Sequence, residues 1–209
     1  MLTGLRLASV ALMAGFLFNV LAQQAKLTPA EREAKAREYF TDTKLKTQSE
    51  RTVRFFSDAM KDKVVLINFV FTQCGDACPL ITAKLVQAKR ELGEVFGSEV
   101  RFLSISIDPR HDRPQDLAKF ARKFDAVHPE WLFLTGEPAN VEAVVKKLGS
   151  WTEDIESPST AIIIGSPRQG KWKKVRPDAP PKVIAEELRH LVAGELEARK
   201  LAQAGPNGR

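Results

Sequence analysis

The eight residues Val64-Val65-Leu66-Ile67-Asn68-Phe69-Val70-Phe71 contain a single polar side chain. The run is too short for a typical helix and rich in β-branched and aromatic residues, which predicts a strand buried on both faces. Beyond Cys78-Pro79 the rhythm changes. Ile81, Leu85, Ala88, Leu92 and Val95 recur every three or four residues, as one apolar face of a helix does. The same patterns predict a second buried strand from Val100 to Ile107, a helix from Pro114 to Phe124, a third strand from Trp131 to Thr135 and a helix from Val141 to Leu148 stopped by Gly149. Ala161 to Ile164 and Trp172 to Val175 predict an antiparallel pair, and a last helix starts at Pro181 and carries Val183, Ile184, Leu188, Leu191 and Val192. Strands alternating with helices and closing on a hairpin plus helix specify an α/β fold, a three-layer sandwich with a mixed central sheet.

The N-terminal third is less regular. Thr28-Pro29-Ala30-Glu31 has the form of a helix start, with Thr28 as cap, Pro29 in the first turn and Glu31 closing a capping box, so a short surface helix should reach about Tyr39. Lys44 to Phe56 alternates weakly around Ser49-Glu50-Arg51, as an edge hairpin would. Ahead of these, Met1 to Ala22 holds one charge, Arg6, then an apolar run from Leu7 to Phe18 and small residues at Val20 and Ala22, which is the layout of a secretory signal. Retained, the segment would be an N-terminal anchor helix, although its apolar run is short of the roughly 20 residues a bilayer span needs. The expected organisation is thus a signal or anchor at 1–22, a helix within 23–39, one exported domain at 40–201 and a frayed tail at 202–209.

The 209 residues are 44% hydrophobic and 28% charged, which excludes wholesale disorder and a polytopic membrane protein. A domain of this length buries a full core without a staple, so the two cysteines need a chemical explanation. The formal net charge of +6 is spread along the chain, and nothing in it indicates nucleic acid. Lys171, Lys173, Lys174 and Arg176 around Trp172 could dock an acidic partner, but a solvated hairpin is the simpler reading. Asp108 and Asp112 fit a tight turn after a strand better than an acid/base pair.

Cys74-Gly75-Asp76-Ala77-Cys78-Pro79 lies between the first buried strand and the long helix. Helix N-termini carry unpaired N–H groups and the positive end of the dipole, so at least one thiol there should have a lowered pKa and react as thiolate. Three intervening residues bring the sulfurs close enough for a disulfide, or for two thiolates to hold one soft ion such as Cu(I).

Val64 to Phe69 running into Thr72-x-Cys74-x-x-x-Cys78-Pro79, then Ser106-Ile107-Asp108-Pro109 with Asp112 and Pro114, and Trp131-Leu132-Phe133-Leu134-Thr135-Gly136 resemble the Sco/SenC family over about Phe40 to Leu191. The resemblance implies a thioredoxin-like domain, exported or membrane-anchored and periplasmic, that serves assembly of the dinuclear copper centre of cytochrome oxidase by delivering copper, by reducing the centre's cysteines, or both. It places Cys74 and Cys78 as the redox-active, copper-binding pair. Its partners would be the oxidase's copper-site subunit or that subunit's metallochaperone, together with a dithiol electron donor.

One position departs from the family. Its third copper ligand is a histidine, and here Ser157 stands in that place; a serine hydroxyl is a poor copper ligand beside thiolates. For each of the three histidines, His111, His128 and His190, a solvated or capping role is expected ahead of ligation; His111, at a strand end, is the least remote substitute. Ser157-Pro158-Ser159-Thr160 instead resembles the proline loop of TlpA-like thioredoxins, in which a cis proline packs on the cysteine pair, holds substrate backbone and keeps metal out. Pro158 would take that role; an ordinary trans proline opening an edge strand is the alternative. The expected activity is thiol–disulfide exchange with no cofactor required, Cys74 attacking and Cys78 resolving. The alternative is a carrier holding Cu(I) between Cys74 and Cys78.

Overall fold

The computed structural model describes residues 27–75, 77–151 and 160–204. The leader at 1–22, Ser157, Pro158 and residues 205–209 lie outside the described residues.

Seven strands form one sheet in the order β2-β1-β5-β4-β3-β6-β7. Its centre is parallel: β3 (Val64–Val70), β4 (Val100–Ser106) and β5 (Trp131–Thr135). At one edge β1 (Lys44–Thr47) and β2 (Thr52–Arg54) form the expected hairpin, and at the other β6 (Ile162–Ser166) and β7 (Lys171–Val175) form the second. Each hairpin joins the parallel core antiparallel, β1 to β5 and β6 to β3, so the sheet is mixed. The helices are α1 (Pro29–Phe40), α2 (Ala77–Leu92), α3 (Pro114–Lys123), α4 (Pro138–Lys147) and α5 (Pro181–Ala204).

Alternation along the strands creates two cores. Val64, Leu66 and Val70 of β3 face one side, where α2, α3 and α5 supply Leu85, Leu117 and Leu188; Val65, Ile67 and Phe69 face the other, where α1 and α4 supply Phe40 and Val144. All seven residues of β3 are buried, as its unbroken apolar sequence requires. The result is the three-layer, thioredoxin-like α/β sandwich. Thr28 caps α1 with the full capping box: its Oγ1 accepts from the Glu31 N–H at 3.2 Å, and the Glu31 carboxylate accepts from the Thr28 N–H at 2.7 Å.

Several local expectations change. The α2 helix stops at Leu92 because Gly93 takes a left-handed φ of 59°, so Val95 opens a separate short turn and does not continue the helix face. Phe55 and Phe56 leave the edge hairpin and enter a π-helical turn, Phe55–Met60, that buries both rings. Val183 points to solvent while Ile184 and Leu188 of the same helix are buried. Helix α5 runs from Pro181 to Ala204. On the β6–β7 hairpin, Lys173 pairs with Glu187 and Arg176 with Asp178, while Trp172 packs on Phe40 at 4.7 Å.

Candidate functional site

Parallel strands end together, and β3 delivers the cysteine loop to the carboxyl edge of the sheet beside the loop that follows β4. Cys78 is the second residue of α2 and only 3% exposed, whereas Cys74, in the loop before the helix, is half-buried. No disulfide joins them. The Cys74 N–H donates to the Phe71 carbonyl at 3.2 Å, closing the loop into a tight turn. The Cys78 N–H, one of the helix's orphan amides, donates to the Cys74 sulfur at 3.3 Å. A backbone donor and a helix N-terminus thus converge on Cys74 Sγ, the atom where they favour thiolate.

Cys78 behaves oppositely to what the helix dipole alone suggests. Burial, reinforced by the hydrogen bond with the Cys74 side chain and by the negative charge of Asp112, pushes its thiol up to about 12. Cys78 is therefore protonated at neutral pH, and the expectation of an activated thiol does not hold for this residue. Desolvation outweighs the dipole because the side chain sits in the core formed by α2, α3 and α5.

The loop is held from below by Asp112, which is 1% exposed. Its Oδ1 accepts from the Thr72 N–H at 3.0 Å and from Thr72 Oγ1 at 2.6 Å, and its Oδ2 accepts from Ser106 Oγ at 2.7 Å. Burial raises the carboxyl's pKa while these donors oppose the rise. The Asp108–Asp112 segment is the turn foreseen, with the Asp112 N–H on the Asp108 carbonyl at 2.8 Å. What sequence reasoning missed is that this turn fastens the cysteine loop. An Asp112→Ala variant strands the buried Ser106 hydroxyl together with the part-buried Thr72 hydroxyl and amide. It should lose about 2–3 kcal/mol of stability by urea unfolding and increase hydrogen exchange at Thr72 to Cys78; unchanged exchange there would refute the anchoring role.

The structure does not assemble a histidine ligand around the pair. His111 stands on the turn beside the cysteine loop but its Nδ1 is engaged by the Asp108 carboxylate at 2.8 Å and its side chain is 63% exposed. His128 packs on Phe96 and its Nδ1 accepts from the Glu130 N–H at 3.0 Å; burial, then the charge of Lys89, pushes its pKa down. His190 lies exposed on α5. Among the described residues no group of three His, Cys, Asp or Glu side chains is placed to hold a metal ion. Two thiols remain, a set that fits Cu(I) in two-coordinate form. Ser157 and Pro158, the predicted partners of the pair, lie outside the described residues.

Comparison with known proteins converges on one family. The SCO1/SenC family model matches residues 30–193. A SCO1 protein homolog of Bacillus subtilis is 37% identical over 79 residues, which cover 38% of this chain and 40% of that protein. The matched stretch is thus less than half of the relative's length. Among solved structures, Arabidopsis thaliana ScoI with copper bound superposes with a TM-score of 0.59 at 25% identity, covering 74% of this chain and 95% of that one. BsSco, described as a member of the Sco family of cytochrome c oxidase assembly proteins with a disulfide switch, gives 0.60 at 26% identity, over 72% and 91%.

Proposed function

Since the chain belongs to the SCO1/SenC family, we propose that it assists copper-site assembly in cytochrome c oxidase as an exported thiol–disulfide oxidoreductase. Its client would be the cysteine pair of the dinuclear copper centre or of the metallochaperone that loads it. The observation that carries this reading is the asymmetry of the pair: a half-buried Cys74 whose sulfur accepts the Cys78 N–H, beside a buried, protonated Cys78.

The Cys74 thiolate attacks one sulfur of the client disulfide, forming a mixed disulfide and releasing the other client sulfur as thiolate. Cys78 then gives up its proton and attacks Cys74 Sγ. The intramolecular disulfide forms, the mixed disulfide breaks, and the second client sulfur leaves. Two electrons pass in all from Cys74 and Cys78 to the client, together with the Cys78 proton; the second client thiolate takes its proton from solvent, and a dithiol donor later returns the electrons. The client thiolate released first is a base for the Cys78 proton, so a thiol silent in the resting state becomes a nucleophile only once the mixed disulfide exists.

The copper-bound Arabidopsis relative favours a second reading, a carrier in which copper is the cargo of Cys74 and Cys78. Titrating the reduced full chain with Cu(I) and Cu(II), alongside exchange with a disulfide peptide carrying the oxidase copper-site cysteines, separates the two. Exchange with weak Cu(II) binding is expected. Tight binding of both ions with negligible exchange would make the chain a carrier.

A further inference from the structure

Next to Cys74 a cleft of about 240 Å³ opens between the start of α2 and the outer face of α3. Pro79, Phe120 and Phe124 supply its apolar lining, the two rings packing at 4.7 Å, and Lys119 and Lys123 stand on its rim. The lysines are four residues apart on α3, so they share one face. Lys123 lies over the Phe124 ring at 5.4 Å, and Lys119 is 72% exposed. One acid, Asp116, also lines the cleft. It sits 3.6 Å from Lys119 and accepts from the Arg113 N–H at 3.3 Å as part of the helix start, so the described residues of the rim carry one positive charge in excess. One residue beyond Pro79, Leu80 keeps 71% of its surface in water on the first turn of α2.

Cys74 itself lines this cleft, so its apolar floor and its cations lie beside the attacking sulfur. A cleft of this size holds one or two side chains and is too small for a typical small-molecule site. Resting on the exchange reading above, we propose that it is the client-recognition subsite: it receives the residues flanking the client's disulfide, an apolar side chain on Pro79, Phe120 and Phe124 and a neighbouring carboxylate on Lys119 and Lys123. Its position at Cys74 means that filling it brings the client's sulfur to the attacking atom. Clients with an acidic and an apolar residue beside the cysteine are thereby selected over basic ones, and the lysines speed encounter with an acidic segment.

Three cyclic disulfide peptides, identical except for Glu-Leu, Lys-Leu or Glu-Ser beside one cysteine, test this with the reduced full chain. Reduction of the Glu-Leu peptide is expected to be about tenfold faster than that of Lys-Leu and several-fold faster than that of Glu-Ser, the charge preference shrinking in high salt. In Lys119→Glu/Lys123→Glu the Glu-Leu advantage disappears while reduction of hydroxyethyl disulfide is unchanged; Lys119→Gln/Lys123→Gln serves if the reversal impairs folding. Equal wild-type rates for the three peptides would overturn the proposal. A labelled Glu-Leu peptide with serines for both cysteines reads the cleft without exchange, and its affinity should fall in the same variants. Were the chain unable to reduce hydroxyethyl disulfide, the exchange reading would fail and this binding measurement alone would decide the cleft. Dimerisation by sedimentation that the same variants abolish would assign the cleft to a second copy of the chain and overturn the client role.

Discussion

A Cys74→Ser variant is expected to reduce client disulfides at least about 10³-fold more slowly than the native chain and to trap no mixed disulfide, because the attacking sulfur is gone and Cys78 cannot replace it. Cys78 is buried and its thiol is held near pKa 12, so almost none of it is thiolate at neutral pH. Cys78→Ser should do the reverse. The first attack survives and resolution does not, so the client stays covalently bound through Cys74 and is recovered as a mixed disulfide by mass spectrometry. A brief alkylation of the reduced native chain should label Cys74 alone, and Cys78 should react only after unfolding. Equal trapping by the two variants, or equal labelling of the two thiols, would show that the burial difference does not set the order of attack. Because Cys74 is half-buried at the surface, its loss should change stability little.

The order of attack shows how far local sequence reaches. Cys74 and Cys78 announce themselves by spacing and by position between an apolar run and a helix-period segment, and both signals are local. The Cys78 pKa is not local. The dipole argument uses only the helix start, whereas the desolvation that defeats it comes from burial in a core to which β3, β4, α3 and α5 all contribute. Asp112 shows the same limit. It lies 40 residues from Thr72, and only the parallel register of β3 and β4 brings the two loops together. Val95 fits the apolar spacing of α2 but falls beyond Gly93, whose positive φ no periodicity reveals. Lys119, Phe120, Lys123 and Phe124 lie in a segment whose sequence predicts a helix and nothing more, and they line a cleft with Cys74 and Pro79 only in the folded chain. The fold was more legible than the site because apolar periodicity records which faces are buried, while catalytic environment depends on what arrives from elsewhere.

Trp131→Ala should be the converse of Cys74→Ser, with stability lost and chemistry kept. Trp131 is fully buried at the start of β5, stacked on Phe133 at 5.7 Å and edge-on to Phe102 at 5.1 Å. Its Nε1–H donates to Ser104 Oγ at 2.9 Å, and that hydroxyl donates in turn to Asn68 Oδ1 at 2.8 Å, a polar chain crossing three buried strands. Truncation to alanine empties the ring's volume and takes away Ser104's donor, so urea unfolding should show a loss of about 3–5 kcal/mol. Trp131→Phe keeps most of the volume and loses the N–H, and about 1–2 kcal/mol is expected. Parallel strands put the beginning of β5 at the opposite end of the sheet from the cysteine loop that follows β3. The folded fraction of either variant should therefore exchange disulfides at the native rate. A fall in that rate would mean that the centre of the sheet sets the geometry of the two sulfurs, and the site could no longer be treated as held by its own loop, the helix start and Asp112.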